Sequence, residues 1–126
     1  KPVADQTTQL LTINAAQESP ILEMIQMVNL NSIQRHNVDG PKQLIVLSDL
    51  LQNSKQLNMY RSSPTFEEFA STTYAQKTKI NFQGVDIQVH YLQNSPSLQV
   101  DKLFRFWREY FKAAGAKSLN LVALPG

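Results

Sequence analysis

Lys42-Gln43-Leu44-Ile45-Val46-Leu47-Ser48-Asp49 decides how the rest of the chain is read. Its four central residues form an unbroken apolar run with polar residues on both sides. Such a run suits a strand buried on both faces, as in a parallel sheet. It stops abruptly at Ser48-Asp49. In parallel α/β sheets, ligands gather beyond the carboxyl ends of the strands. Asp49 stands at such an end and is the first candidate for a functional residue. A carboxylate there can hold a hard cation, orient a water, or close a turn and cap the next helix. Ser48, Asn53 and Ser54 stand close by in sequence and add oxygen atoms of the kind Mg²⁺ accepts.

Outward from this strand, helices and strands alternate. Residues 19 to about 35 read as a helix, with Ser19 as N-cap and Pro20 at the first helical position. Ile21, Met24, Ile25 and Val28 recur at helical spacing. Asp39-Gly40-Pro41 supplies turn chemistry. Upstream, Leu10, Leu11 and Ile13 offer a short strand or a docking linker. After the long polar stretch opened by Gln52-Asn53-Ser54, residues 65 to about 78 are expected to be helical, with Phe66, Phe69 and Tyr74 on the apolar side. Val85, Ile87, Val89 and Tyr91 alternate with Asp86, Gln88 and His90, the period-two mark of a strand. Its polar alternate side suggests a sheet edge or a face covered by polar groups. From Ser95-Pro96-Ser97 a strong helix follows, with Val100, Leu103, Phe104, Trp107, Tyr110, Phe111 and Ala114 as its apolar stripe. Gly115 is placed to end it. Residues 119 to 124 are a last short strand. Strands alternating with helices imply right-handed crossovers and a parallel sheet.

Composition bounds the function. A chain of 126 residues with 42% hydrophobic residues is one domain with one core. The net charge is only +2, and no Lys/Arg cluster is expected along a groove or helix face, which speaks against nucleic acid as a partner. Charged residues make up 17% of the chain, below the roughly 25% usual in soluble domains. There is no Cys, hence no disulfide or thiolate chemistry. No apolar run approaches the roughly 18 residues of a membrane helix, and no signal peptide is visible, so cytoplasm and periplasm both stay open. Four glycines and no glycine-rich loop leave no nucleotide cradle. His36 and His90 each lack a second ligand at metal spacing. No nucleophile elbow of the G-x-S-x-G type occurs.

Two segments together carry a resemblance. Glu18-Ser19-Pro20-Ile21-Leu22-Glu23 and Lys42-Gln43-Leu44-Ile45-Val46-Leu47-Ser48-Asp49 resemble paired segments of the von Willebrand factor A-like (VWA-like) fold of bacterial proteins. In that family a loop hydroxyl opens a helix, and a later hydrophobic strand ends in Thr/Ser-Asp. Both belong to a metal-ion-dependent adhesion site. Phe106-Trp107-Arg108 and Leu124-Pro125-Gly126 also look like the family's last helix and strand. The resemblance maps the hydroxyl onto Ser19 and the carboxylate onto Asp49. It implies a three-layer α/β fold, mostly parallel, with flanking helices. The family's Asp-x-Ser-x-Ser strand has no counterpart here, so only the second half of the domain is matched and Mg²⁺ binding is expected to be weak or absent.

The function expected on these grounds is a non-catalytic protein-interaction or assembly module with a partial metal-ion-dependent adhesion site at Ser19 and Asp49. Its partner is a protein: a second copy of the chain, or the N-terminal half of such a domain. Neither nucleic acid nor membrane is expected. Two other readings compete: a receiver-like signalling domain with Asp49 as phospho-acceptor, and a small hydrolase fragment pairing Asp49 with His90. If the first strand of the family's sheet is missing, the run Leu44 to Leu47 is expected to expose an unpaired edge.

Overall fold

The structure is a computed structural model, and it describes residues 7–13, 19–30 and 41–124. In chain order the elements are β1 (Thr7–Thr12), α1 (Ile21–Val28), β2 (Lys42–Ser48), α2 (Phe66–Ala70), α3 (Thr73–Lys77), β3 (Val85–Leu92), α4 (Asp101–Ala113) and β4 (Ser118–Leu124). The chain has the layered α/β architecture that the alternation predicts. Its sheet has four strands in the order β1-β2-β3-β4, and every pairing is parallel.

That order corrects two expectations. β2 is not an unpaired edge: β1 runs along it from Thr7↔Lys42 to Thr12↔Leu47. The Leu10-Leu11 stretch is the strand that supplies this cover. Nor is β3 an edge, because it lies between β2 and β4. Its polar alternation has another cause. When each strand crosses to its sequence neighbour with right-handed connections in one direction, all the crossover helices fall on one side of the sheet. Contacts among the helices agree. Tyr74 in α3 donates to Glu23 Oε1 in α1, and Phe69 in α2 lies edge-on to Phe106 and Tyr110 in α4.

The helix side of the sheet is therefore the core. Leu44, Val46, Val85, Ile87 and Val89 are buried there against Ile21, Leu22, Ile25, Leu103, Trp107 and Phe111. The other side carries the alternate residues in register. One row is Leu10, Ile45, Gln88 and Asn120; the next is Thr12, Leu47, His90 and Val122. No described helix covers it. Leu10 is 64% exposed and Val122 42%. Ile45 and Leu47 are half-buried, so the apolar run of β2 is fully buried on the helix side alone.

The helix expected over residues 65–78 is two short helices, broken at Ser71 and the extended Thr72. Thr65 and Glu68 form a capping box at the start of α2. Ser71 and Thr72 then donate their hydroxyls to the carbonyls of Glu68 and Phe69, which ends the helix. Thr72 Oγ1 accepts from the Ala75 N–H and starts α3. Gly115, at φ 89°, turns the chain from α4 towards β4, as expected of a helix-ending glycine.

Candidate functional site

The carboxyl ends of β1, β2 and β3 open onto one rim, and the segment after β2 is its centre. Ser48 and Asp49 both close tight turns. Ser48 Oγ accepts from the Leu50 N–H and Asp49 Oδ1 accepts from the Leu51 N–H, each at 2.9 Å. Side chains of Ser and Asp favour this local bond, which competes with regular structure and stops the strand. Between them the backbone reverses at Leu50, the one non-glycine described residue with positive φ, at 63°. Left-handed backbone costs a non-glycine residue roughly 1–2 kcal/mol. Burial of the Leu50 and Leu51 side chains in the core offsets that cost.

Asp49 is 3% exposed, and the donors around it account for its burial. Oδ2 accepts from Asn94 Nδ2 at 3.3 Å and, at the longest hydrogen-bonding distance, from the Tyr60 hydroxyl at 3.5 Å. Its backbone carbonyl accepts from Gln99 Nε2 at 3.0 Å. Tyr60 is half turned to solvent, and its phenol is pushed above the ordinary tyrosine range, first by burial and then by the Asp49 charge and its hydrogen bond. The carboxylate thus faces an N–H, an amide and a phenol, all donors. A carboxylate prepared for a cation needs instead other oxygen lone pairs converging on the same point.

The neighbouring oxygens are also engaged within the protein. Ser54 Oγ accepts from Gln52 Nε2 and the Leu57 N–H. Asn53 pairs through its backbone with both Ser19 and Asn58. Ser19 is buried and meets the post-β2 loop there: its N–H donates to the Asn53 carbonyl at 2.9 Å, and its carbonyl accepts from the Asn53 N–H at 3.1 Å. The structure therefore brings the Ser19 and Asp49 segments to one rim, joined by a backbone bridge. Among the described residues, no three His, Asp or Glu side chains gather as a metal-binding group. His90, the other member of the hydrolase reading, lies on the uncovered side of β3 and bonds Gln88 Oε1 through Nε2. His36 lies outside the described residues.

Sequence reasoning missed the residue that organises the rim. Ser19 does not occupy the N-cap position of α1. Pro20 does, and it has no side chain bond to offer. The orphan N–H of Leu22 is taken instead by Gln52 Oε1 at 2.9 Å, from thirty positions along the chain. Gln52 is fully buried, and its Nε2 donates to the Tyr74 hydroxyl at 2.6 Å and to Ser54 Oγ at 3.0 Å. Tyr74 in turn donates to Glu23 Oε1 at 2.6 Å. Burial, and then the Glu23 carboxylate, push the Tyr74 phenol far above its ordinary value. One glutamine thus ties α1, the post-β2 loop and α3 together.

A second correction concerns charge. Arg108 and Lys112 lie one turn apart on α4, and Lys117 immediately precedes β4. All three line one groove of about 430 Å³ beside the strand. The basic residues therefore do follow a groove. The cluster is hidden in the sequence because the fold, not the spacing, brings Lys117 alongside the helix.

No protein-family model matches the chain, and neither a curated protein nor a solved structure matches it. Among the described residues, no helix is long and apolar enough to cross a membrane.

Proposed function

We propose that the chain is a non-catalytic protein-interaction module whose uncovered sheet face seats a second copy of itself. The observation that carries this reading is the one-sided sheet. Leu10 and Val122 stand exposed on a face where Ile45 and Leu47 are also only half covered. Full burial of an exposed side chain of this size is worth roughly 1.5–3 kcal/mol, and each of these gains the part of it that its remaining exposure represents. The occupant follows from charge. In the three registered rows of that face, from Thr8, Gln43, Asp86 and Ser118 to Thr12, Leu47, His90 and Val122, Asp86 is the one carboxylate, and it accepts a hydrogen bond from Ser118. A nearly neutral face meets its own copy across a two-fold axis without like-charge repulsion.

In this reading the Asp49 rim is an internal brace of the module. Its inward-aimed donors support a structural carboxylate and favour weak or absent Mg²⁺ binding. They also leave little access for phosphoryl transfer to Asp49.

Light scattering at micromolar concentration tests the reading. The expected species is a dimer that Leu10→Glu or Val122→Glu returns to monomer with unchanged circular dichroism. A wild-type monomer near 14.3 kDa at every concentration overturns the self-pairing of this face.

A further inference from the structure

β4 closes one side of the described sheet. It pairs with β3 and with no described strand beyond. An edge strand holds out backbone N–H and C=O groups to any extended chain. Folded proteins ordinarily blunt such an edge with charge, proline or a bulge. Ser118-Leu119-Asn120-Leu121-Val122-Ala123-Leu124 has no charge and no proline, and its register with β3 runs unbroken from Ser118 to Leu124. A strand of this kind, rich in apolar residues and without charge, is a template for strand addition.

Charge lies beside the strand instead. Arg108, Lys112 and Lys117 flank the groove, and Leu119 and Leu121 form its floor on the helix side. All three cations are exposed, and none pairs with a described carboxylate. Three cations without a described carboxylate partner, beside a strand with no described neighbour on its outer side, define the chemistry of what fits there.

We infer that the β4 edge takes up an acidic extended peptide as an added strand, with its carboxylates held by Arg108, Lys112 and Lys117. This partner chemistry presupposes the protein-interaction reading above but uses the sheet's edge, not its open face. Side chains alternate across a strand. Residues of the added strand on the helix side would lay aliphatic stems over Leu119 and Leu121 and extend their carboxylates to Arg108 and Lys112. Residues on the other side would lie beside exposed Val122. The pattern that satisfies both sides is acidic and apolar in strict alternation. Strand addition supplies backbone bonds and leaves selectivity to the alternate side chains.

The probe is a fluorescein-labelled peptide of alternating valine and glutamate, read by anisotropy with the full chain. Binding is expected, weakening as salt is added, with slower amide exchange across Ser118 to Leu124. The R108E/K112E variant is expected to lose roughly tenfold or more in affinity, as reversal of two contacting charges does. That variant should instead bind a valine–lysine peptide, and its circular dichroism should match the wild type, which shows that it is folded. Polyglutamate binding as well as the alternating peptide, or unchanged exchange across β4, would mean plain charge attraction and overturns the inference. So does absence of binding by the valine–glutamate peptide. Light scattering on the peptide-free sample separates the two readings. Self-association without peptide binding overturns the edge partner alone; a monomer that binds the peptide overturns the self-pairing of the open face alone, and a monomer that binds no peptide overturns both.

Discussion

Trp107 Nε1 donates to the carbonyl oxygen of Leu50 at 2.8 Å, so the core of α4 is bonded to the one described residue other than glycine whose backbone is left-handed. The indole is fully buried. Its ring packs against Phe106, Tyr110 and Phe111, while its single N–H fixes the turn after β2. Trp107→Phe keeps most of the ring and deletes the donor. It leaves a buried carbonyl unpaired, which costs about 1–3 kcal/mol. The unfolding free energy from a urea titration is expected to fall by that amount, and the midpoint with it. An unchanged midpoint would show that the turn holds without α4.

Gln52 stitches three elements, so its loss should exceed that of an ordinary loop glutamine. Gln52→Leu preserves bulk but strands the Leu22 N–H and removes a donor to Tyr74 and Ser54. The expected loss is about 2–4 kcal/mol, more than one buried bond is worth. Double-mutant cycles with Tyr74→Phe should show coupling. Strict additivity would mean that the network is not a unit.

Asp49 is expected to matter for stability and not for metal. Asp49→Ala deletes the turn-closing bond to Leu51 and leaves Asn94 without its acceptor, for roughly 1–3 kcal/mol. Added Mg²⁺ should not raise the melting temperature of the wild-type chain, because only a ligand that binds the folded state shifts it. A saturable rise that disappears in Asp49→Ala would restore the adhesion-site reading.

Alkaline pH should unfold the chain. Burial holds the phenols of both Tyr74 and Tyr110 above their ordinary value of 10.0, reinforced at Tyr74 by its bond to Glu23. The folded state therefore binds these protons more tightly than the unfolded state. Their contribution is fully present below about pH 10, the unfolded value, and is lost as pH rises beyond it. Tyr74→Phe should flatten that loss when the urea midpoint is followed against pH. Acid acts through Glu68, whose carboxyl is held low first by the backbone N–H of Thr65 and then by its hydroxyl. Here the contribution is present above about pH 4.5 and fades as pH falls through the lower folded value. Glu68→Gln should remove that dependence.

The strands were readable because their signals are local. Leu44 to Leu47 and the alternation from Val85 to Tyr91 mark strands from any viewpoint. What the alternation cannot carry is the reason for it. Polar residues at Asp86, Gln88 and His90 are what an edge strand shows, and equally what an interior strand shows when helices cover one side of the sheet. The helix over residues 65–78 was half legible: its apolar side was right, but the hydroxyls of Ser71 and Thr72 broke it. At the rim, Asp49 announced itself by position, and its turn-closing role follows from its chemistry. Gln52 gave no signal, since a glutamine in a polar stretch looks like surface until the fold buries it. Lys117 was silent for the same reason, being placed beside Arg108 and Lys112 by a turn at Gly115.

The strand order has a consequence for how the chain is built. Each strand pairs with the strands just before and just after it in the chain. No strand has to be threaded between two that are already joined. The sheet can therefore grow from one end as synthesis proceeds, with β1 waiting only for β2, and β2 only for β3. Each arrival brings the helix that roofs the previous pair, so assembly and emergence run in the same direction. Among the described elements α4 and β4 follow all the others in the chain, and α4 carries Trp107 and with it the bond that locks the turn at Leu50.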